Sequence, residues 1–148
     1  MGWFNLMGLI IVIIIMIPNI IYFKKCPNGF TNIYKNKTIE TLEQIGRFGC
    51  FILIIFNIPY TYFDFWFSNG KTIYIIVNSI FLLIYVLGWV ICLNKWKIFR
   101  SYLLSITPSL MFLFSGIAIL SIPLIVAATI FSFSHITISL KNAYNKAK

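Results

Sequence analysis

One run of 39 residues, Tyr102 to Leu140, contains no Asp, Glu, Lys or Arg. A second charge-free run, Trp3 to Phe23, lies near the start. Apolar stretches of about 18 or more residues read as membrane spans, because about 20 helical residues cross a hydrocarbon core of about 30 Å. Soluble domains carry about 25% charged residues. Here the figure is 10%, with a mean hydropathy of +0.92. These observations predict an all-α integral membrane bundle with the lipid bilayer as its first partner.

A single helix over 39 residues would reach nearly 60 Å at about 1.5 Å per residue, roughly twice the core. Tilt and mismatch do not absorb that excess. Pro123 supplies the break, because a proline inside a helix removes a backbone hydrogen bond and clashes with the turn before it. Leu120-Ser121-Ile122-Pro123 therefore reads as a tight turn with Pro123 opening the next helix. Pro108 falls in the early turns of its helix and is expected to kink it. Five spans result, at about 3–23, 49–67, 73–93, 101–120 and 123–140. The alternative, with the long run bent but unbroken, has four.

Charge placement separates the two counts. The chain has twelve basic residues. With five spans and the N-terminus outside, all but Lys71 face the cytoplasm, and so does the C-terminus. With four spans Lys141, Lys146 and Lys148 move outside. The positive-inside bias therefore favours five. Aromatic residues agree: Tyr60, Tyr62, Trp66 and Tyr74 collect at the expected outer side, and Tyr22, Trp89, Trp96 and Tyr102 at the inner side, as interfacial belts do. The same placement explains the net charge of +9 without nucleic acid, which would call for a basic face on a soluble module. At the N-terminus no basic residue precedes the apolar run and no small-residue cleavage site follows it, so the segment is expected to be a retained span.

Residues 24–47 form the one sizeable loop. Its first half carries Pro, Gly and Asn and reads as irregular. Its second half, 38–47, reads as a short amphipathic helix along the inner surface: Thr38 is a candidate N-cap, Ile39, Leu42 and Ile45 recur every three residues, and Glu43 precedes Arg47 by four. Glu40 and Glu43 read as surface carboxylates without a partner histidine.

Helices in lipid associate through small and polar residues, and the spans carry such stripes. Cys50, Asn57 and Asp64 are spaced by seven, as are Asn78, Tyr85 and Cys92. The fourth span has Ser101, Ser105, Ser109 and Gly116, and the fifth has Ala128, Ser132, His135 and Ser139. Asn5, Gly8 and Asn19 mark the first. The stripes predict polar faces meeting at the bundle centre. Their functional alternative is a narrow polar path between the second, third and fifth spans, lined by Asn57, Asp64, Asn78, Tyr85, Ser132 and His135.

Ionisable residues within spans are candidate functional sites. His135 lies near the inner end and Asp64 near the outer, too far apart for one acid–base pair. His135 is expected to bond a serine or a backbone carbonyl, and Asp64 to pair with Lys71 or face interfacial water. The three cysteines form no CxxC, and a lone histidine completes no familiar zinc site. No phosphate-binding loop, dinucleotide fingerprint or nucleophile elbow occurs. No metal, cofactor or enzymatic activity is expected.

IPNIIYF at 17–23, EQIGRFG at 43–49 and FSGI at 114–117, followed by a hairpin span with a late histidine, resemble a family of small, uncharacterised multi-spanning integral membrane proteins of low-GC Gram-positive bacteria. The resemblance implies a bacterial plasma-membrane location and this architecture, and carries no activity. Two readings follow: a non-enzymatic polytopic protein acting through protein or lipid contacts, or a small oligomeric transporter or channel using the polar path. The partner in the first would be lipid, a second copy or another membrane protein.

Overall fold

The computed structural model describes residues 2–25, 32–91 and 97–147. These form five helices: α1 (Leu6–Lys25), α2 (Lys37–Ile55), α3 (Gly70–Ile91), α4 (Lys97–Ala118) and α5 (Ile122–Ala147). One isolated antiparallel bridge, Phe4 with Phe56, is the only extended pairing among the described residues. Four helices, α1, α3, α4 and α5, are long and apolar enough to cross a membrane. The first eleven residues of α2 carry Lys37, Glu40, Glu43 and Arg47, which keeps it out of that group.

The second expected span differs most. The surface helix at 38–47 and the apolar segment after it are one continuous helix. It starts earlier than expected because Asn36, rather than Thr38, is the N-cap: its side chain accepts the Ile39 amide at 3.2 Å. The helix also ends early, at Ile55. Phe56 is extended, and Pro59 disfavours helix for the residue before it and has no amide to donate. Residues 56–69 instead fold over one end of the bundle. Their backbone is satisfied by tertiary partners: Asn57 N–H donates to Trp3 O, Phe63 N–H to Ile119 O, and Thr61 O accepts from Ile122 N–H.

The turn between α4 and α5 forms where expected. Leu120 adopts a left-handed conformation at φ 48°, and the Ser121 and Leu120 amides donate back to Gly116 O and Ile117 O. That pattern closes a helix by satisfying its last carbonyls. Ser121 O then accepts from Ile125 N–H, and Pro123 lies in the first turn of α5.

Pairwise contacts fix the direction of every helix. On α5, Ile125 meets Gly116 while Ser139 reaches Ser101, so α4 and α5 run antiparallel over their length. Gly46 against Phe131 and Glu43 against His135 make α2 and α5 antiparallel. Asn78 with Ser115 and Gly88 with Leu103 do the same for α3 and α4. Asn5 with Tyr74 and Asn19 with Tyr85 make α1 and α3 parallel. The packed neighbours close a ring in the order α1, α2, α5, α4, α3, with a smaller α2–α4 contact across it. One end of the ring, the hairpin end, carries the N-terminal residues, the 56–69 cap and the α4–α5 turn. The other, the tail end, carries the C-terminal turns of α1, α3 and α5.

The core runs along the ring's inside: Ile11 and Ile15, Cys50 and Ile54, Tyr85 and Trp89, Met111 and Phe112, and Leu124, Ala128 and Phe131. Large apolar side chains also cover the outside, among them Ile13, Ile17, Ile76, Ile80, Leu83, Leu87, Leu110, Val126 and Phe133. A soluble monomer rarely exposes so continuous an apolar surface, whereas a lipid-facing one requires it. Two aromatic residues expected at the interfaces, Tyr74 and Trp89, are buried in the core.

Candidate functional site

The two ends of the ring differ in kind. At the hairpin end buried polar groups are tied together. Asn5 donates to Ile54 O at 3.0 Å and to the Tyr74 hydroxyl at 3.2 Å. Asn78 donates to Tyr74 O at 2.9 Å and accepts from the Ser115 hydroxyl at 3.0 Å. Buried polar groups satisfied in this way cost little and fix the packing. Asn57 donates to Gly2 O, but its own buried Oδ1 has no hydrogen-bond partner among the described residues. Gly8 sits against Ile54 O so closely that any side chain there would collide with the α2 backbone.

Toward the tail end the helices partly enclose a cavity of about 1280 Å³. It exceeds the range of about 300–1,000 Å³ usual for small-molecule sites. Its apolar floor is made by Ile15, Phe51, Leu104, Phe112 and Phe131; Lys24, Asn32, Lys37, Glu40 and Asn142 line its rim. Between floor and rim stand Glu43, Arg47, Arg100, Ser101, His135 and Ser139. The tail-end stretches of α1 and α2 flank an opening, where the lining residues Ile20, Phe23 and Phe48 are exposed on the outer surface.

Glu43 is the centre of this layer. It is buried, and its Oε1 accepts from Nδ1 of His135 at 3.0 Å and from the Arg47 guanidinium one helical turn on. These two partners offset the cost of burying its charge. His135 is stacked on Phe131 at 4.7 Å between ring centroids. Gly46 and Gly49, on the same side of α2, let the helix backbone press against α5 and bring Glu43 within reach. The expectation that Glu43 is a surface carboxylate without a histidine partner is therefore corrected, and His135 bonds a carboxylate rather than a serine or carbonyl. The reason is that α2 enters the bundle directly rather than lying beside it.

Other walls add polar groups. Asn19 donates to the Tyr85 hydroxyl at 2.9 Å, and the Arg100 guanidinium lies 5.4 Å from the centre of the Tyr22 ring. At the rim the last turns of α5 clamp the loop before α2. Asn142 Oδ1 accepts the Ile33 and Tyr34 amides, and Lys141 lies 4.3 Å over the Tyr34 ring.

The expected site residues therefore divide. Tyr85 and His135 line the cavity. Asn57 and Asn78 belong to the packed hairpin end, and Asp64 lies in the 56–69 cap, where its Oδ1 accepts the Phe65 amide. Ser132 donates to Ala128 O within its own helix. Helices α2 and α3 do not pack on each other, nor do α3 and α5. Cys92 lies outside the described residues, and no group of three His, Cys, Asp or Glu that could hold a metal occurs among those described. Glu43 and Arg47 are the members the sequence reading left out. A signal existed: Glu43 lies seven residues before Cys50, continuing the Cys50–Asn57–Asp64 spacing backwards.

The fold and site are those of a helical bundle compatible with a membrane protein that carries a half-open amphipathic cavity. No family model matches the chain, and no curated protein or solved structure matches it.

Proposed function

We propose that this chain is a non-enzymatic multi-pass protein of a bacterial plasma membrane that works by holding a bilayer component in its tail-end cavity. In this reading all five helices cross or enter the bilayer. The N-terminus is outside and the C-terminus cytoplasmic, so the cavity opens at the inner leaflet. The observation that carries the reading is the cavity, apolar at its floor, polar above it, and flanked by exposed apolar residues of α1 and α2. Basic residues support the orientation. Lys24, Lys25, Lys37, Arg100 and Lys141 all belong to the tail-end half, and Lys71 stands at the opposite end.

Chemistry at the site is a poorer fit. A hydroxyl nucleophile needs a base in hydrogen-bond reach, and the α5 serines around His135, Ser132, Ser134 and Ser139, donate to Ala128 O, Ile130 O and Ser101 O instead. The second reading, transport, draws on the same cavity as one open state of a path. That path would have to continue past Asn57 and Asn78, both at most 3% exposed.

A photoreactive benzoylphenylalanine placed at Leu104 or at Asn78 tests the first reading. It predicts a lipid adduct at Leu104 and none at Asn78; no adduct at either position would end it. Labelling of cysteines at positions 57 and 78 by a soluble thiol reagent would favour transport.

A further inference from the structure

Which component the cavity takes follows from its charge and depth, given the reading of it as a lipid site. The lining carries Lys24, Lys37, Arg47 and Arg100 against two carboxylates, Glu40 and Glu43. Both carboxylates are engaged within the protein: Glu40 accepts from the Asn32 side chain at 2.6 Å, and Glu43 from His135 and Arg47. The excess is positive, in a partly enclosed space where charges are screened less than in water. Positive-inside bias accounts for basic residues at this end. It does not account for two arginines in the wall of a cavity that continues into an apolar floor. Arginine differs from lysine in presenting a planar fork that matches phosphate or carboxylate oxygens in pairs.

Depth points the same way. On α1 the lining runs from Ile15 to Lys24, which is about 14 Å at 1.5 Å per residue. Half of a hydrocarbon core is about 15 Å. The cavity is therefore as deep as one leaflet, with Lys24, Lys37 and Arg100 at headgroup level, Arg47 deeper beside Glu43, and the aromatic floor near the bilayer midplane.

We propose that the cavity takes an anionic lipid of the adjoining leaflet, its head held by Arg47 and Arg100 and an acyl chain lying along Phe51, Leu104 and Phe112. The lipid enters between α1 and α2, past Ile20 and Phe48. A choline headgroup brings a further cation to a lining whose four cations already outnumber its two carboxylates, so it binds less well.

The test uses the full chain in a neutral maltoside detergent, titrated with pyrene-tailed phosphatidylglycerol and, separately, pyrene-tailed phosphatidylcholine. The expected result is one phosphatidylglycerol per chain, bound at least about tenfold more tightly than phosphatidylcholine, the size of one charge-assisted hydrogen bond. Arg47→Gln with Arg100→Gln should bring the two lipids within about twofold of each other, and the corresponding lysine pair should restore part of the preference. Arg47 also supports Glu43, so Arg100→Gln alone serves where the double variant does not fold; a loss of about tenfold is expected. Equal binding of both lipids by the wild type would overturn the anionic class while leaving the lipid site standing. Binding of neither would overturn both. Displacement of phosphatidylglycerol by millimolar inorganic phosphate would make this a free-anion site and end the proposal.

Discussion

Glu43 is 4% exposed, and an ionised carboxylate so placed without partners costs several kcal/mol. His135 and Arg47 together offset that cost. Breaking the longer-range half, His135→Ala, removes a hydrogen bond to a charged group and should destabilise the bundle by about 1.5–3 kcal/mol. Glu43→Gln with His135→Ala should then cost less than the two single changes added together, a coupling read by thermal unfolding of all four proteins.

Among elements, the approach of α2 to α5 depends on one small residue. A Cβ on Gly46 would lie 2.6 Å from the Phe131 nitrogen, in the backbone of α5. In open space Gly→Ala stabilises a helix by about 0.4–1 kcal/mol; here the collision dominates, and Gly46→Ala should destabilise by about 1–3 kcal/mol. Gly49→Ala meets only the Ala127 Cβ, at 3.1 Å, and should cost less. The order Gly46 above Gly49, measured by thermal unfolding, tests how closely α2 and α5 approach. At the other end of that scale, Asn36→Ala removes the α2 cap and should cost about 1 kcal/mol. The elements also show what a sequence can reveal. The apolar runs of α1, α3, α4 and α5, and the turn before Pro123, are local signals, and reading them needs no partner. Residues 56–69 have the composition of a span, yet they fold as a cap because Trp3, Ile119 and Ile122 supply distant backbone partners. The Glu43–His135 bond joins residues 92 apart, and only the seven-residue spacing from Glu43 to Cys50 hinted at it.

At the scale of the whole molecule, five helices of alternating direction along the chain put the start of α1 and the end of α5 at opposite ends of the ring. Buried polar groups lock the hairpin end, while the tail end holds a charged cavity over an apolar floor. Orientation in the bilayer therefore decides which leaflet the cavity meets. The direct measurement is labelling by a membrane-impermeant thiol reagent, with single cysteines at the fully exposed Tyr60 of the cap and at Lys141 beside the cavity rim, and the native cysteines replaced by serine. Tyr60→Cys should label in intact cells, and Lys141→Cys only after the cells are opened. Labelling of both in intact cells, or of Lys141→Cys alone, would contradict an odd number of crossings or reverse the cavity's side, and with it the account of what the cavity meets.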